Sequence, residues 1–522
     1  MRWFKGWNWG LLAIATLVVV IVWHSVAFAA ETIRFNYSLL GFKVAVADLV
    51  TFADSGEVSS SLNFYLKRID PQQKPELRQF LNQSYDVDPV LVYRYSRTSV
   101  GVKLLQRVGE IIQLPGKLNG FYGLRAAVVQ TALSDRGVSL INFLQTFPTD
   151  IQLNLSEILN LVKQIANNEQ EIKEFIAKIP ETNRDRYSLK SQKLPDLAQP
   201  GAYQTNYQTL KLYDRQRDRL LNTDLYLPET KTSKIPVIVV SNGLGAKRDR
   251  FTELAQHLSS YGFAVVIPDH PGSDRARQKD FLQGLYQENF DATDYLDRPQ
   301  DISYILDELS KLNQKQFNNR LNLEQVGIFG YSIGGTTALS LAGAKIDWEY
   351  LQQECAKPLE LINISTLYQC RAVELPAVQP SLKDPRIKAA FLFVPFGNNL
   401  FSQKQLKQVA IPMMWQVVDR DFLTSLLTEQ LPLFNNLVNS DRYLVISEKI
   451  PHSNVTLSKE QQTEQSKIFQ IAKNYQNILS LSFFQNYIAQ NPDYQTYLSP
   501  EFIQAIAVEP YKLHLISKQK RS

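Results

Sequence analysis

The spacing of apolar positions along this 522-residue chain changes near residue 200. Before that point helical steps dominate. From Asn154 to Ile179, apolar residues such as Ile158, Leu159, Val162, Ile165, Ile172 and Ile176 recur at three- and four-residue intervals, which lines them up on one helical face. Asn154 and Glu157 have the spacing of a capping box. Pro180 then ends the pattern, because it has no N–H to continue the helix. Shorter versions run through Pro75–Gln83 and Leu124–Leu133. Strand alternation is missing over most of Glu31 to Tyr187, so residues 30–187 are expected to form a mainly helical domain. That stretch contains no histidine and no clustered carboxylates, and no chemistry is legible in it.

Residues 188–206 hold Pro195, Pro200 and Gly201 among polar neighbours and read as a linker. Beyond it, Gln208–Tyr213 and Leu220–Tyr226 suggest a hairpin around Asp214–Asp218. Ile235–Val240 is an unbroken apolar run, as a parallel strand buried on both faces requires. A helix at Phe251–Tyr261, a strand at Ala264–Ile267, a helix at about Arg298–Leu312 and a strand at Gln325–Phe329 follow. Later strands are expected at Ala389–Val394, Met413–Val418 and Tyr443–Ser447. Alternating strands and helices predict an α/β domain over residues 207–515, with a mostly parallel sheet flanked by helices. Phe483, Phe484, Tyr487, Tyr494 and Tyr497, in the tail Ile468–Ile506, read as the core of closing helices rather than as a lipid-binding face.

The amino terminus adds a destination. Arg2 and Lys5 precede the apolar run Leu11–Trp23, and Ala27-Phe28-Ala29 supplies small residues two apart. A basic segment, a short apolar segment and an Ala-x-Ala site read as an export signal over residues 1–29, with mature protein starting near Ala30. The rival reading is an uncleaved anchor associating the protein with a membrane, for which the apolar stretch is marginal in length. Both place the bulk of the chain outside the cytoplasm, periplasmic or secreted. Cys355 and Cys370, the only cysteines, then read as one disulfide closing a short loop. The chain-entropy account gives such a bridge about 3 kcal/mol. With no histidine nearby they make a poor metal site. The net charge of +5 is mild and interspersed, apart from a basic tail at Lys518–Arg521 that reads as a solvated terminus. No basic stripe for nucleic acid is present.

Gly330-Tyr331-Ser332-Ile333-Gly334 lies between the strand ending at Phe329 and the helical run Thr336–Leu341. A serine in that sharp strand-to-helix turn needs small neighbours and sits at a helix N-terminus, whose N–H groups favour oxyanion charge. Ser332 is therefore the expected nucleophile. Of five histidines, His24 lies in the signal, His257 within a helix, His270 in the loop Pro268–Gly272 and His514 in the tail. His452 alone follows the last expected strand, where the order serine, acid, histidine puts the base. His270 reads as a loop former near the site. The acid should follow Met413–Val418, where Asp419 and Asp421 are equal candidates on spacing and Asp384 a minor one. Oxyanion donors are expected from the Ile333 N–H and, in the loop Ser241–Gly245, the Leu244 N–H.

Three segments carry a resemblance: Asn242-Gly243-Leu244-Gly245, Pro268-Asp269-His270-Pro271-Gly272 and Gly330-Tyr331-Ser332-Ile333-Gly334-Gly335. Together they resemble the α/β hydrolases related to platelet-activating-factor acetylhydrolase and dienelactone hydrolase. The full arrangement resembles predicted hydrolases typical of cyanobacteria, in which a signal and a helical domain of unknown function precede the catalytic domain. The resemblance implies the α/β-hydrolase fold, an esterase- or lipase-like activity on small-molecule or lipid esters, Asp421 as the acid and His452 as the base. One departure is Asn242, where such loops usually read His-Gly. The expected chemistry needs no metal or organic cofactor. Residues 342–388, which include both cysteines, are either a cap over the sheet edge or a structural excursion held by the bridge. The competing functional readings are a non-catalytic envelope scaffold and an amide-cleaving hydrolase.

Overall fold

The computed structural model describes residues 29–37, 40–180, 195–452 and 459–520. All but the last residue of the expected export signal, and residues 188–194 of the expected linker, lie outside them. Contacts divide the chain into two compact units, Met1–Ser96 with Gly101–Asn160, and Arg97–Val100 with Leu161–Ser522. Among the described residues no helix is long and apolar enough to cross a membrane.

The first unit is dominated by helices, among them Gln73–Asn82 and Phe121–Leu133. It also holds a small sheet that the pattern did not predict. β1 (Thr32–Tyr37), β2 (Leu40–Ala45), β3 (Ile112–Gln113) and β4 (Ile151–Leu153) lie in the order β2-β1-β4-β3. These strands span two to six residues, too short for a period of two to declare itself. Phe52, Ala53, Leu124, Ala127, Phe147 and Ile151 form the core.

The helix Leu155–Ala177 begins at the expected cap, where the Glu157 N–H donates to Asn154 Oδ1 at 3.4 Å. Its later turns count with the second unit, where Ile172 and Ile179 join the main core. The first compact unit thus stops at Asn160, within this helix. Residues 195–206 likewise dock rather than link: Leu197 is buried, and Gly201 and Tyr203 donate N–H bonds to Ser260.

The second unit is built on nine strands. β5 (Thr205–Asp214) and β6 (Arg219–Pro228) form the expected hairpin. β7 (Ile235–Ser241), β8 (Ala264–Pro268), β9 (Leu321–Tyr331), β10 (Ile387–Phe393), β11 (Met413–Val418) and β12 (Arg442–Ser447) are mutually parallel. β13 (Leu513–Lys518) closes the edge antiparallel to β12. It runs past residue 515 and makes His514, expected in the tail, part of a strand. The order is β13-β12-β11-β10-β9-β7-β8-β6-β5.

Both faces of this sheet are covered, which explains the unbroken apolar runs. Val237 and Val239 face a layer containing the helices Asp294–Gln316 and Ile333–Ala342, whereas Ile238 and Val240 face the helices Thr252–Ser260 and Lys459–Tyr487. Phe483, Phe484 and Tyr497 are buried there, with Tyr487 and Tyr494 packed against them. Each fully buried side chain of this size contributes roughly 1.5–3 kcal/mol. The chain leaves β7 toward β8 on one side and β9 toward β10 on the other. That reversal opens a crevice at the carboxyl ends of β7 and β9, where ligands of open α/β sheets bind.

Candidate active site

Ser332 stands at the end of β9 with φ 54° and ψ −119°, a conformation side chains rarely adopt. Its N–H is held by the Phe393 carbonyl at 3.0 Å. The flanking glycines follow from crowding: a Cβ on Gly330 would meet the Gly334 carbonyl oxygen at 2.4 Å, and one on Gly334 would meet that of Ser241 at 2.0 Å. Ile333 is the first residue of the following helix, so its N–H has no intrahelical acceptor by position.

Ser332, His452, Ile333 and Leu244 line one cavity of about 190 Å³, together with Ser365, Tyr368, Phe396 and the Leu423–Thr424 turn. His452 Nδ1 donates to Asp421 Oδ2 at 2.6 Å. Asp421 also accepts from the N–H groups of Leu423 (2.8 Å) and Thr424 (3.0 Å) and from the Thr424 hydroxyl (2.6 Å). Burial alone would raise its pKa. The His452 bond and charge, with the Thr424 donors, outweigh that and hold the carboxyl below its ordinary value. Asp419 points elsewhere, accepting from the Lys449 N–H at 2.9 Å, and burial raises its pKa. Asp384 is farther afield, paired with Arg386 at 2.7 Å. The two aspartates that spacing left equal are thus distinct in geometry.

Residues 342–388 form one wall of the cavity. The Cys355–Cys370 disulfide joins the helix Trp348–Cys355 to the end of the helix Ser365–Gln369, with Cα atoms 5.6 Å apart. Two backbone bonds of 2.8 Å, from Ile364 N–H to Phe422 and from Ser365 N–H to Leu423, tie this segment to the loop bearing Asp421. Buried Glu429 locks the same junction, accepting from Asn363 (2.9 Å), Gln369 (3.0 Å) and the N–H groups of Gly397 (2.6 Å) and Asn398 (2.7 Å).

Beneath the loop Ser241–Gly245 lies a polar network that sequence reasoning missed. Arg298 is fully enclosed; it donates to the Asn242 carbonyl at 2.6 Å and to Ser273 Oγ at 2.8 Å and 2.5 Å. The Ser273 carbonyl accepts the Gly245 N–H at 2.7 Å. Asp294, one turn before Arg298, is pushed up to about 7 by burial against the pull of Arg298. His270 Nε2 lies 3.1 Å from Ser241 Oγ, and its Nδ1 lies 3.2 Å from Asp301 Oδ2. Desolvation and the neighbouring Arg298 charge lower the His270 pKa to about 4. The one available signal was the i,i+4 spacing of Asp294 and Arg298, which in sequence resembles a solvated helix pair.

Residues 236–356 match the family described as alpha/beta hydrolase fold. Residues 29–154 match a family described as alpha/beta hydrolase of unknown function (DUF1400). No curated protein matches the chain. With a mostly parallel sheet flanked by helices, the chain has the α/β-hydrolase fold, and the match over residues 236–356 indicates a hydrolase.

Proposed function

We propose that the protein is an exported serine hydrolase that cleaves carboxylic esters. Ser332 is the nucleophile, His452 the general base, Asp421 the residue that orients it, and the N–H groups of Ile333 and Leu244 the oxyanion donors. The observation that carries this reading is the 2.6 Å bond from His452 to Asp421 beside a cavity lined by both His452 and Ser332. With Nδ1 engaged, Nε2 is left to accept the serine proton.

Ser332 Oγ attacks the ester carbonyl while His452 takes its proton. The tetrahedral oxyanion is met by the two backbone N–H groups. Its collapse breaks the acyl C–O bond, and the imidazolium gives its proton to the departing alcohol. Water, deprotonated by the same histidine, then frees the acid. A cavity of about 190 Å³ with Leu244, Ile333 and Phe396 in its walls favours a short apolar acyl group. The likeness of three loops to relatives of platelet-activating-factor acetylhydrolase and dienelactone hydrolase favours ester over amide. Export is supported by the Ala27-Phe28-Ala29 site and by a disulfide suited to an oxidising compartment.

Labelling of the mature chain by a fluorophosphonate probe, beside Ser332→Ala, tests this. Label on the wild type alone supports the reading. A folded wild type that takes no label moves the weight to a non-catalytic protein that kept the fold.

A further inference from the structure

His452 belongs to two cavities. One is the space it shares with Ser332. The other, about 380 Å³, runs from His452 and Pro451 between Arg250, Leu254 and Phe393 and the helix carrying Phe469, Lys473 and Asn477, and Ser332 is not in its lining. Tyr331, in the wall of the first, packs on His452: its hydroxyl is 3.4 Å from the His452 carbonyl oxygen, and its ring centroid is 5.9 Å from that of the imidazole.

The charges of the second cleft are unequal. Lys473 is neutralised by Glu253 at 2.7 Å. Arg250 has no carboxylate partner among the described residues. Its guanidinium lies 4.6 Å from the centroid of the Tyr331 ring, and Nη2 donates to the Tyr331 hydroxyl at 3.3 Å. That contact holds the planar donor group at the cleft wall while leaving other N–H groups for a ligand.

Acyl transfer gives each cavity a role, on the proposed function above. The acyl carbon must sit at Ser332 and the oxyanion donors, whereas the leaving oxygen must reach the imidazolium that protonates it. The base therefore divides the two halves of the ester. We propose that the cleft beside His452 receives the alcohol half of the substrate, and that Arg250 binds a carboxylate or phosphate carried on that alcohol. When the acyl C–O bond breaks, the His452 proton passes to the alkoxide, and the alcohol departs with its anionic group still on Arg250. Guanidinium matches both anions with paired N–H donors, so the shared chemistry is an oxyanion.

The test uses three acetate esters, of 4-hydroxybenzoate, of 4-hydroxyphenyl phosphate and of methyl 4-hydroxybenzoate as the neutral reference. For each, kcat/KM is divided by the hydroxide-catalysed rate. The wild type is expected to favour one or both anionic esters over the neutral one, and Arg250→Gln to lower that ratio about fivefold through KM, the size of a partly exposed charge interaction. Arg250→Lys should recover part of it, and 0.5 M salt should shrink it in the wild type. Whichever anionic ester shows the larger drop identifies the group recognised. Ratios that are the same in wild type and Arg250→Gln, with Ser332 labelled and the neutral ester turned over, overturn the assignment of Arg250 and leave the esterase reading intact. Absence of both labelling and turnover sinks the parent reading and this one with it.

Discussion

Two histidine–aspartate pairs of similar bonding stand at the carboxyl edge of the same sheet. In one, Asp301 engages His270 Nδ1 and Ser241 Oγ meets its Nε2. In the other, Asp421 engages His452 Nδ1, and Ser332 lines the cavity that His452 faces. Residue types alone do not separate them, but their surroundings do. Ser241 and His270 are buried, and Arg219 binds both oxygens of Asp301 at 2.9 Å. No substrate carbonyl can approach that serine, and burial beside Arg298 disfavours an imidazolium there. The His452 pair borders open space and, among the described residues, carries no bidentate arginine. The same three side chains thus serve as a strut in one place and as a proposed catalytic device in the other. Access and the neighbouring charges make the difference.

The sharpest way to break this comparison is to remove each serine. Ser332→Ala should cost roughly 10⁴- to 10⁶-fold in kcat and abolish fluorophosphonate labelling. Ser241→Ala should retain labelling and lose about 1 kcal/mol of stability, the worth of one hydrogen bond. Label surviving in Ser332→Ala would mean that another serine reacts.

The aspartates come next. Asp421→Asn should lower kcat/KM by about 10⁴-fold, since the amide favours the wrong imidazole tautomer. Asp419→Asn, aimed at the Lys449 N–H, should change it less than about tenfold. Equal losses on the same ester would remove Asp421 from its role. Asp301→Asn should instead unfold the protein more easily, by about 1.5–3 kcal/mol, because Arg219 loses its two-point carboxylate and keeps only longer contacts to Asp297 and Asp294, while Arg217 keeps Asp214. A urea midpoint measures that cost, and the folded fraction should still label.

How much of this contrast is legible in sequence follows from the range of the forces involved. The strands β7 to β12 could be read because a sheet covered on both faces imposes continuous apolar runs, and Ser332 because its turn has no room for side chains at positions 330 and 334. His452 followed from its place after the last parallel strand. Asp419 and Asp421 could not be separated by spacing, since each follows β11 and the choice rests on where one loop turns. The buried set of Asp294, Arg298, Ser273 and Asp301 stayed hidden. Its members are polar residues on a helix and a loop, and they are enclosed only after the chain from β7 folds over them. The strands of the first unit were missed because two to six residues carry too little period.

The smallest expected effect concerns acid stability and separates the pairs once more. His270 and His257 are both pushed down to about 4 by burial, from an unfolded value near 6.5. Between pH 6.5 and 4 the unfolded chain binds protons that the folded one refuses. Their stabilising contribution is therefore complete above 6.5 and fades as pH falls toward 4. Asp421, held below its ordinary value, begins to lose its contribution only at about pH 4 and below. Asp294, raised to about 7, tilts the opposite way across the same range, so the wild-type curve mixes opposing slopes. The informative quantity is the unfolding free energy of wild type minus that of His270→Gln at each pH. That difference should fall steadily from pH 6.5 to 4, while wild type minus Asp421→Asn stays level over the same interval. A flat His270 difference would mean that this imidazole accepts its proton without leaving the fold, and the buried pair would then be closer in character to the one at the cavity.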